Sequence, residues 1–311
     1  MAMTNKQAQI ADPILSKVAQ GFIHADRVGR ELFPVVEIDT RSAKIIKFDK
    51  KSFMKYNTLR APGSSTKRVQ FGYSDGSVQL NGHSLEGLVP TETSQAAASV
   101  PGIDAARDLA INPTMDIFSL EEELKQAEIA TDAANYDVNH KVTLAGTDKW
   151  TDKANSNPEG DVDTAKEAIR STTGFYPNVM ILSPKDYMAL KQHPLIKDQY
   201  KHTSSKSITL EMIAAYFEVD TVKVGKSVWV PDEDSPFQDA WGKTVLAYVP
   251  PAGLRSARVP SYGYTYRLRG YTLVEQPYHD RNAKSWVYPI TDERDVNMTA
   301  MSAGFLIGGA S

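Results

Sequence analysis

Apolar residues recur along this chain with two different periods, and each predicts a different kind of element. Across residues 112–140, Ile117, Leu120, Leu124, Ala127, Thr131, Ala134 and Val138 return every three or four positions, which is one stripe on a long helix. Asn112 supplies an N-cap and Pro113 a first-turn proline. Glu121, Glu122, Glu123, Glu128 and Asp132 crowd the remaining positions and read by default as a solvated face. A shorter amphipathic helix is expected after Asp12-Pro13, using Ile14, Leu15, Val18, Phe22 and Ile23.

Period two appears on either side of these helices. Val69, Phe71 and Tyr73 alternate with polar residues after a turn-rich tip at 57–66, so residues 39–89 read as a long two-stranded arm. Val78 and Leu80 have the opposite parity, which places a bulge or turn at 74–77. Tyr262, Tyr264, Tyr266 and Leu268 form a second alternating run, and Trp286, Tyr288 and Ile290 a third. The parity flips after Gly270, and the polar quartet 292–295 is expected to end the last run before 298–307 closes the chain. Between arm and tail lies a compact α/β pattern. It has a helix at 163–172, a buried strand at 179–182, a Ser183-capped helix ending near His193-Pro194 and a helix capped by Ser207. Strands are expected at 221–224, 227–230 and 244–249. The loop at 146–161 marks a boundary, and the whole reads as α+β.

Charge changes this picture. Residues 41–68 carry Arg41, Lys44, Lys47, Lys50, Lys51, Lys55, Arg60, Lys67 and Arg68 against Asp49 alone. Residues 104–137 carry nine acids against Arg107 and Lys125. The net charge is nevertheless only -3 over 311 residues. A hairpin of this length is marginal by itself and needs a partner surface, so opposite signs on arm and helix predict copies that clasp one another. Near-neutrality argues against a dedicated nucleic-acid binder. The absence of cysteine excludes disulfides, thiolate metal sites and a cysteine nucleophile. The first residues lack the apolar segment of a signal peptide, and no run reaches the roughly 18 apolar residues of a membrane span. A soluble chain made in a cytoplasm is expected.

Candidate chemistry is sparse. Residues 72–76 match the G-x-S-x-G nucleophile elbow, with Ser74 as nucleophile and Asp186 with His193 or His279 as partners. An elbow needs a buried strand before the serine and a helix after it, whereas here alternating strand precedes and Ser77-Val78-Gln79-Leu80 follows. A serine hydrolase using Ser74 is therefore the weaker alternative. The six histidines show no metal spacing, and no strand leads into a glycine-rich phosphate turn. The acids between Asp152 and Asp163 lack the register of a calcium loop. No catalytic, cofactor-binding or metal-binding residue is expected.

Four stretches carry a resemblance. Residues 28–36 (VGRELFPVV), 56–63 (YNTLRAPG) and 178–184 (NVMILSP) are similar to stretches of the major capsid proteins of tailed bacteriophages, and 303–307 (AGFLI) resembles their last strand. The order of parts resembles the same family, which has the Hong Kong 97-type capsid fold. The resemblance implies an N-terminal arm at 1–38, an extended β-hairpin loop at 39–89, a peripheral domain with a long spine helix at 90–160 and 253–311, and an axial α/β domain at 161–252. It further implies self-assembly into the hexamers and pentamers of an icosahedral shell in the virion, put together in the host cytoplasm without a membrane. A separate scaffolding protein, a portal, packaged double-stranded DNA held non-specifically and a decoration protein are the partners it brings. The expected intersubunit contact sets Arg60, Lys67 and Arg68 of one copy against Glu121, Glu122, Glu123 and Glu128 of the next. An encapsulin-like compartment shares the fold and stays open.

Overall fold

The computed structural model describes residues 11–24, 26–45, 59, 76–201, 207–255, 259 and 261–311. The described residues begin with the helix Pro13–Gln20, opened as expected by Asp12, whose Oδ1 accepts the Ile14 and Leu15 amides at 2.9 and 3.0 Å. Leu15, Val18, Ala19 and Phe22 turn inward, while Ile14 and Ile23 stay exposed. A single turn, Gly29–Leu32, then leads into β1 (Val35–Ile38).

β2 (Ser42–Ile45) and β3 (Gly76–Gln79) pair antiparallel and form the root of the arm. The tip at 57–66 falls largely outside the described residues. The arm is shorter at its base than the sequence implies. β4 (Asn81–Pro90) leaves it after Leu80 and pairs with a strand near the C-terminus. The polar residues along it are what an antiparallel edge strand allows, since only one face of it need be apolar.

The helix Thr91–Ala98 ends in a turn at 99–104, after which a π-helical segment, Ala105–Ile111, runs without a break into the long helix Asn112–Thr131. The start of this element is capped by Asp104, which accepts the Ala106 and Arg107 amides, so Asn112 lies inside it rather than at its end. It stops at Asp132, whose carboxylate accepts the Ala134 amide and opens a 3-10 turn, Ala133–Asn135, eight residues before the expected 140. The buried face also differs. Met115, Phe118, Glu122, Gln126 and Ala130 point inward, while Ile117 is exposed and Val138 lies beyond the helix.

After β5 (Lys141–Thr143), the helix Pro158–Thr173 begins earlier than expected. Asn157 caps it, and Glu159 and Asp161 are the acids that favour a helix start but read as loop. Gly174, at φ 79°, ends it in the left-handed region. β6 (Val179–Leu182) is buried throughout, and Ser183 accepts the Asp186 amide to open Pro184–Gln192, both as expected. Pro194–Tyr200 follows, and Thr209, rather than Ser207, caps Leu210–Phe217. β7 (Thr221–Val224), the short pair β8 (Val228–Trp229) and β9 (Gln238–Asp239), and β10 (Thr244–Ala247) complete this part.

The chain then crosses to β11 (Gly263–Leu268), β12 (Leu273–Val274), β13 (Tyr278–Asp280) and β14 (Ser285–Met298), and closes in β15 (Gly304–Gly308). Two sheets organise these strands. In the first, the order is β1–β11–β14–β12, and β4 and β13 also pair with β14. The quartet 292–295 does not end β14; it sits mid-strand, with Asp292, Glu293 and Arg294 buried. The second sheet runs β5–β15–β10–β6–β7. β15 therefore joins the α/β part, across the boundary expected at 252–253. Its continuous burial is what a strand covered on both faces requires. One face of this sheet, with Met180, Leu182 and Leu246, packs under its helices. The other, with Val179, Ile181 and Val245, meets Ala127 and Ala130 of the long helix and Trp241.

Candidate functional site

Four segments far apart in sequence meet where the long helix crosses the first sheet. Glu122 is buried there, and its carboxylate accepts Arg30 Nε at 2.7 Å, Arg30 Nη2 at 3.0 Å and Arg267 Nη2 at 3.0 Å. Arg267 also meets Asp292 at 3.2 Å. Arg294 donates to Asp292 at 2.9 Å, to the Phe118 carbonyl at 3.0 Å and to Glu121 at 3.1 Å. Burial alone would push the Glu122 carboxyl up. The Arg30 hydrogen bonds and the Arg267, Arg30 and Arg294 charges outweigh it and hold the group at about 2.

The folded value thus lies below the ordinary 4.5, so the stabilisation is present above about pH 4.5 and is lost as pH falls toward 2. The difference corresponds to about 3 kcal/mol. Chemical denaturation of wild type and Glu122→Gln across pH 2 to 6 is expected to show a stability gap that narrows as the pH drops. A gap that stays constant with pH would disprove this linkage.

Glu123 does a different job on the same helix. It accepts the Val28 amide at 3.2 Å, the Gly29 amide at 2.7 Å and Trp241 Nε1 at 2.6 Å. One carboxylate thereby ties the N-terminal segment and the α/β part to the long helix. The approach is close enough that a Cβ on Gly29 would meet Gln126 Oε1 at 2.1 Å. At the arm root Arg41 pairs with Glu293, including Nε to Oε2 at 2.8 Å.

Of the four acids expected to face a neighbour, two do not. Glu122 and Glu123 are buried and satisfied within the subunit, because basic and amide donors from residues 28–30, 241, 267 and 294 converge on them. Glu121 and Glu128 do reach the surface. Glu121 sits 3.0 Å from His83 Nδ1, and Glu128 accepts Lys125 at 2.8 Å. They line an open groove of about 600 Å³, with Asp239 and Asp295 on its other walls and Lys125 and Trp229 beside them. Arg60, Lys67, Arg68 and Ser74 lie outside the described residues. The partners weighed for Ser74 are not assembled with one another: Asp186 accepts Thr244 Oγ1, His193 meets Ser156 Oγ, and His279 stands edge-on to Trp286. Among the described residues, no group of three or more acids and histidines is placed to hold a metal ion.

The basic half of the buried cluster was not foreseen. The available signal was the quartet 292–295 inside an otherwise alternating strand: four polar residues that do not end a strand need buried counter-charges.

Comparison with known proteins bears on this architecture. Residues 128–259 match the family described as phage major capsid protein E. The major capsid protein of Burkholderia phage BcepMu is 32% identical over 308 residues, 97% of this chain and 97% of its own. The crystal structure of a phage-related protein from Bordetella bronchiseptica RB50 is 39% identical, spans 98% of this chain and 99% of its own, and superposes with a TM-score of 0.85. A subunit of the mature capsid of bacteriophage PhiM1 shares the fold at 11% identity, with a TM-score of 0.51 over 93% of this chain and 88% of its own.

Proposed function

This chain belongs to the phage major capsid proteins, and from that premise we propose that its copies assemble as hexamers and pentamers into the icosahedral head of a tailed phage. It has the Hong Kong 97-type capsid fold and is a structural protein of the virion, from a family of shell proteins rather than enzymes. The observation that carries the reading is the 32% identity to a phage major capsid protein along 97% of the chain. An encapsulin-like compartment shares the fold, but that identity favours the phage head.

In this reading the six-stranded sheet and the long helix act as the peripheral domain, and the five-stranded sheet with its helices as the axial domain. The basic arm of one copy lies over the peripheral part of the next, with Arg60, Lys67 and Arg68 toward the groove that holds Glu121 and Glu128. Head-to-tail contacts of this kind close into rings by symmetry. A scaffolding protein and a portal join during assembly in the host cytoplasm, and a decoration protein is a further partner. The net charge of -3 suits a shell that holds double-stranded DNA without gripping it.

Negative-stain microscopy of the purified protein, with and without the products of neighbouring genes, is the test. Rings, tubes or closed shells are expected. A chain that stays monomeric under every condition would sink the reading.

A further inference from the structure

Two exposed apolar patches of opposite charge lie on the part of the subunit built around β5–β15–β10–β6–β7. The first is the β8–β9 hairpin. Its strands pair over two residues each, Val228 with Asp239 and Trp229 with Gln238, too little to hold a hairpin by itself. It nevertheless presents Val228, Val230 and, at 77% exposure, Phe237 to solvent. Asp232, Glu233 and Asp234 stand exposed at its turn.

The second patch is the corner between the helices Pro184–Gln192 and Pro194–Tyr200. Met188 and Leu195 are exposed there, at 59% and 46%. Lys185, Lys197 and Lys201, on the same two helices and at the end of the second, are exposed, and Lys191 lies over the Tyr187 ring. Asp198 is the exposed acid of this stretch, since Asp186 is buried against Thr244. Among the described residues, neither these lysines nor the three hairpin acids form an ion pair within the subunit.

The patches sit on opposite faces of one sheet. Leu190 and Ile196, behind the lysine corner, pack with Met180 and Leu182 of β6. Trp241, where the hairpin returns, packs with Val179 and Ile181 of the same strand. Alternate residues of a strand point to opposite sides, so the two surfaces cannot meet within one subunit.

We propose that the hairpin at 228–239 of one copy docks on the helix corner at 185–201 of the next copy around the capsomer. The contact sets Phe237, Val228 and Val230 against Met188 and Leu195, and the three acids against the lysines. Such a contact is heterologous, joins unlike patches and closes when the rotation between copies does. Its charge pattern gives direction and register, while the apolar residues supply the area that must leave water.

The inference rests on the shell reading, and a charge swap tests it separately. One variant carries Asp232→Lys, Glu233→Lys and Asp234→Lys. A second carries Lys185→Glu, Lys197→Glu and Lys201→Glu. A third carries all six. Each triple is expected to lower particle yield at least about tenfold, while circular dichroism and melting show a folded subunit. The sixfold variant is expected to recover particles, because both halves of the contact have changed sign. Triples that assemble like wild type would overturn the proposal, and so would a sixfold variant that stays unassembled. A lysine triple that forms normal particles but retains less DNA would also overturn it and make the corner a nucleic-acid contact. If wild type itself gives no particles, the shell reading fails and the inference falls with it.

Discussion

Replacing Arg294 by methionine is expected to cost about 3–5 kcal/mol of subunit stability, the largest single-residue effect outside the apolar core. Arg294 is almost wholly buried and serves Asp292, Glu121 and the Phe118 carbonyl, with Glu122 a further 3.7 Å contact. Methionine fills much of the same space, so the loss is mainly electrostatic. Asp292, at 1% exposure, would keep Arg267 as its ion-pair partner among the described residues. Breaking one member of a buried charge cluster strands the others, whereas replacing a matched pair by apolar residues is often neutral. Arg294→Met with Asp292→Leu should therefore recover part of the loss. Urea unfolding of the three proteins measures both effects. A loss below about 1 kcal/mol in the single variant would show that the cluster carries no such weight. Arg294→Lys should not rescue, since one ammonium cannot span Asp292, Glu121 and the Phe118 carbonyl as a guanidinium does.

Reversing Arg60, Lys67 and Arg68 to glutamate is expected to abolish shell formation while each subunit stays folded. The groove proposed to receive them carries Glu121, Glu128, Asp239 and Asp295, with Lys125 and Arg294 beside them, so in that contact three positive charges become three negative ones in a groove rich in carboxylates. Like-charge juxtaposition at an interface costs several kcal/mol, enough to suppress nucleation. Light scattering and electron microscopy read the loss, and raising salt should slow wild-type assembly because exposed charges are screened within about 8 Å at physiological ionic strength. Reversing Glu121 and Glu128 to lysine together with the arm should restore particles. Normal shells from the arm variant alone would show that these three residues do not set the contact. Reversing Glu122 or Glu123 instead would unfold the subunit, because both are buried and hydrogen-bonded.

Elements with local causes were legible from the sequence. Asp12 before Pro13 and Ser183 before Pro184 opened helices where expected, since a cap acts on amides two or three residues away. Four consecutive apolar residues at 179–182 made a strand buried on both faces. The long helix was found, but its buried face was not. Its inward residues include Glu122, Glu123 and Gln126, which no apolar pattern marks. β15 was expected as the last strand but with the peripheral part, and β4 was read as part of the arm, because alternation records which residues are buried and not against what.

The sequence alone determined the α+β class, the long helix followed by an α/β part and returning strands, and the split of charge between residues 41–68 and 104–137. The tertiary structure decided which of the helix's acids stay at the surface. Glu121, Glu122, Glu123 and Glu128 look alike in sequence. Arg30, Arg267, Arg294 and Trp241 converge on the middle two from as far as 172 residues away, in the case of Arg294 and Glu122, and bury them. Burying a carboxylate is tolerable only where such donors arrive, and their arrival depends on the fold of the whole chain rather than on any window of it.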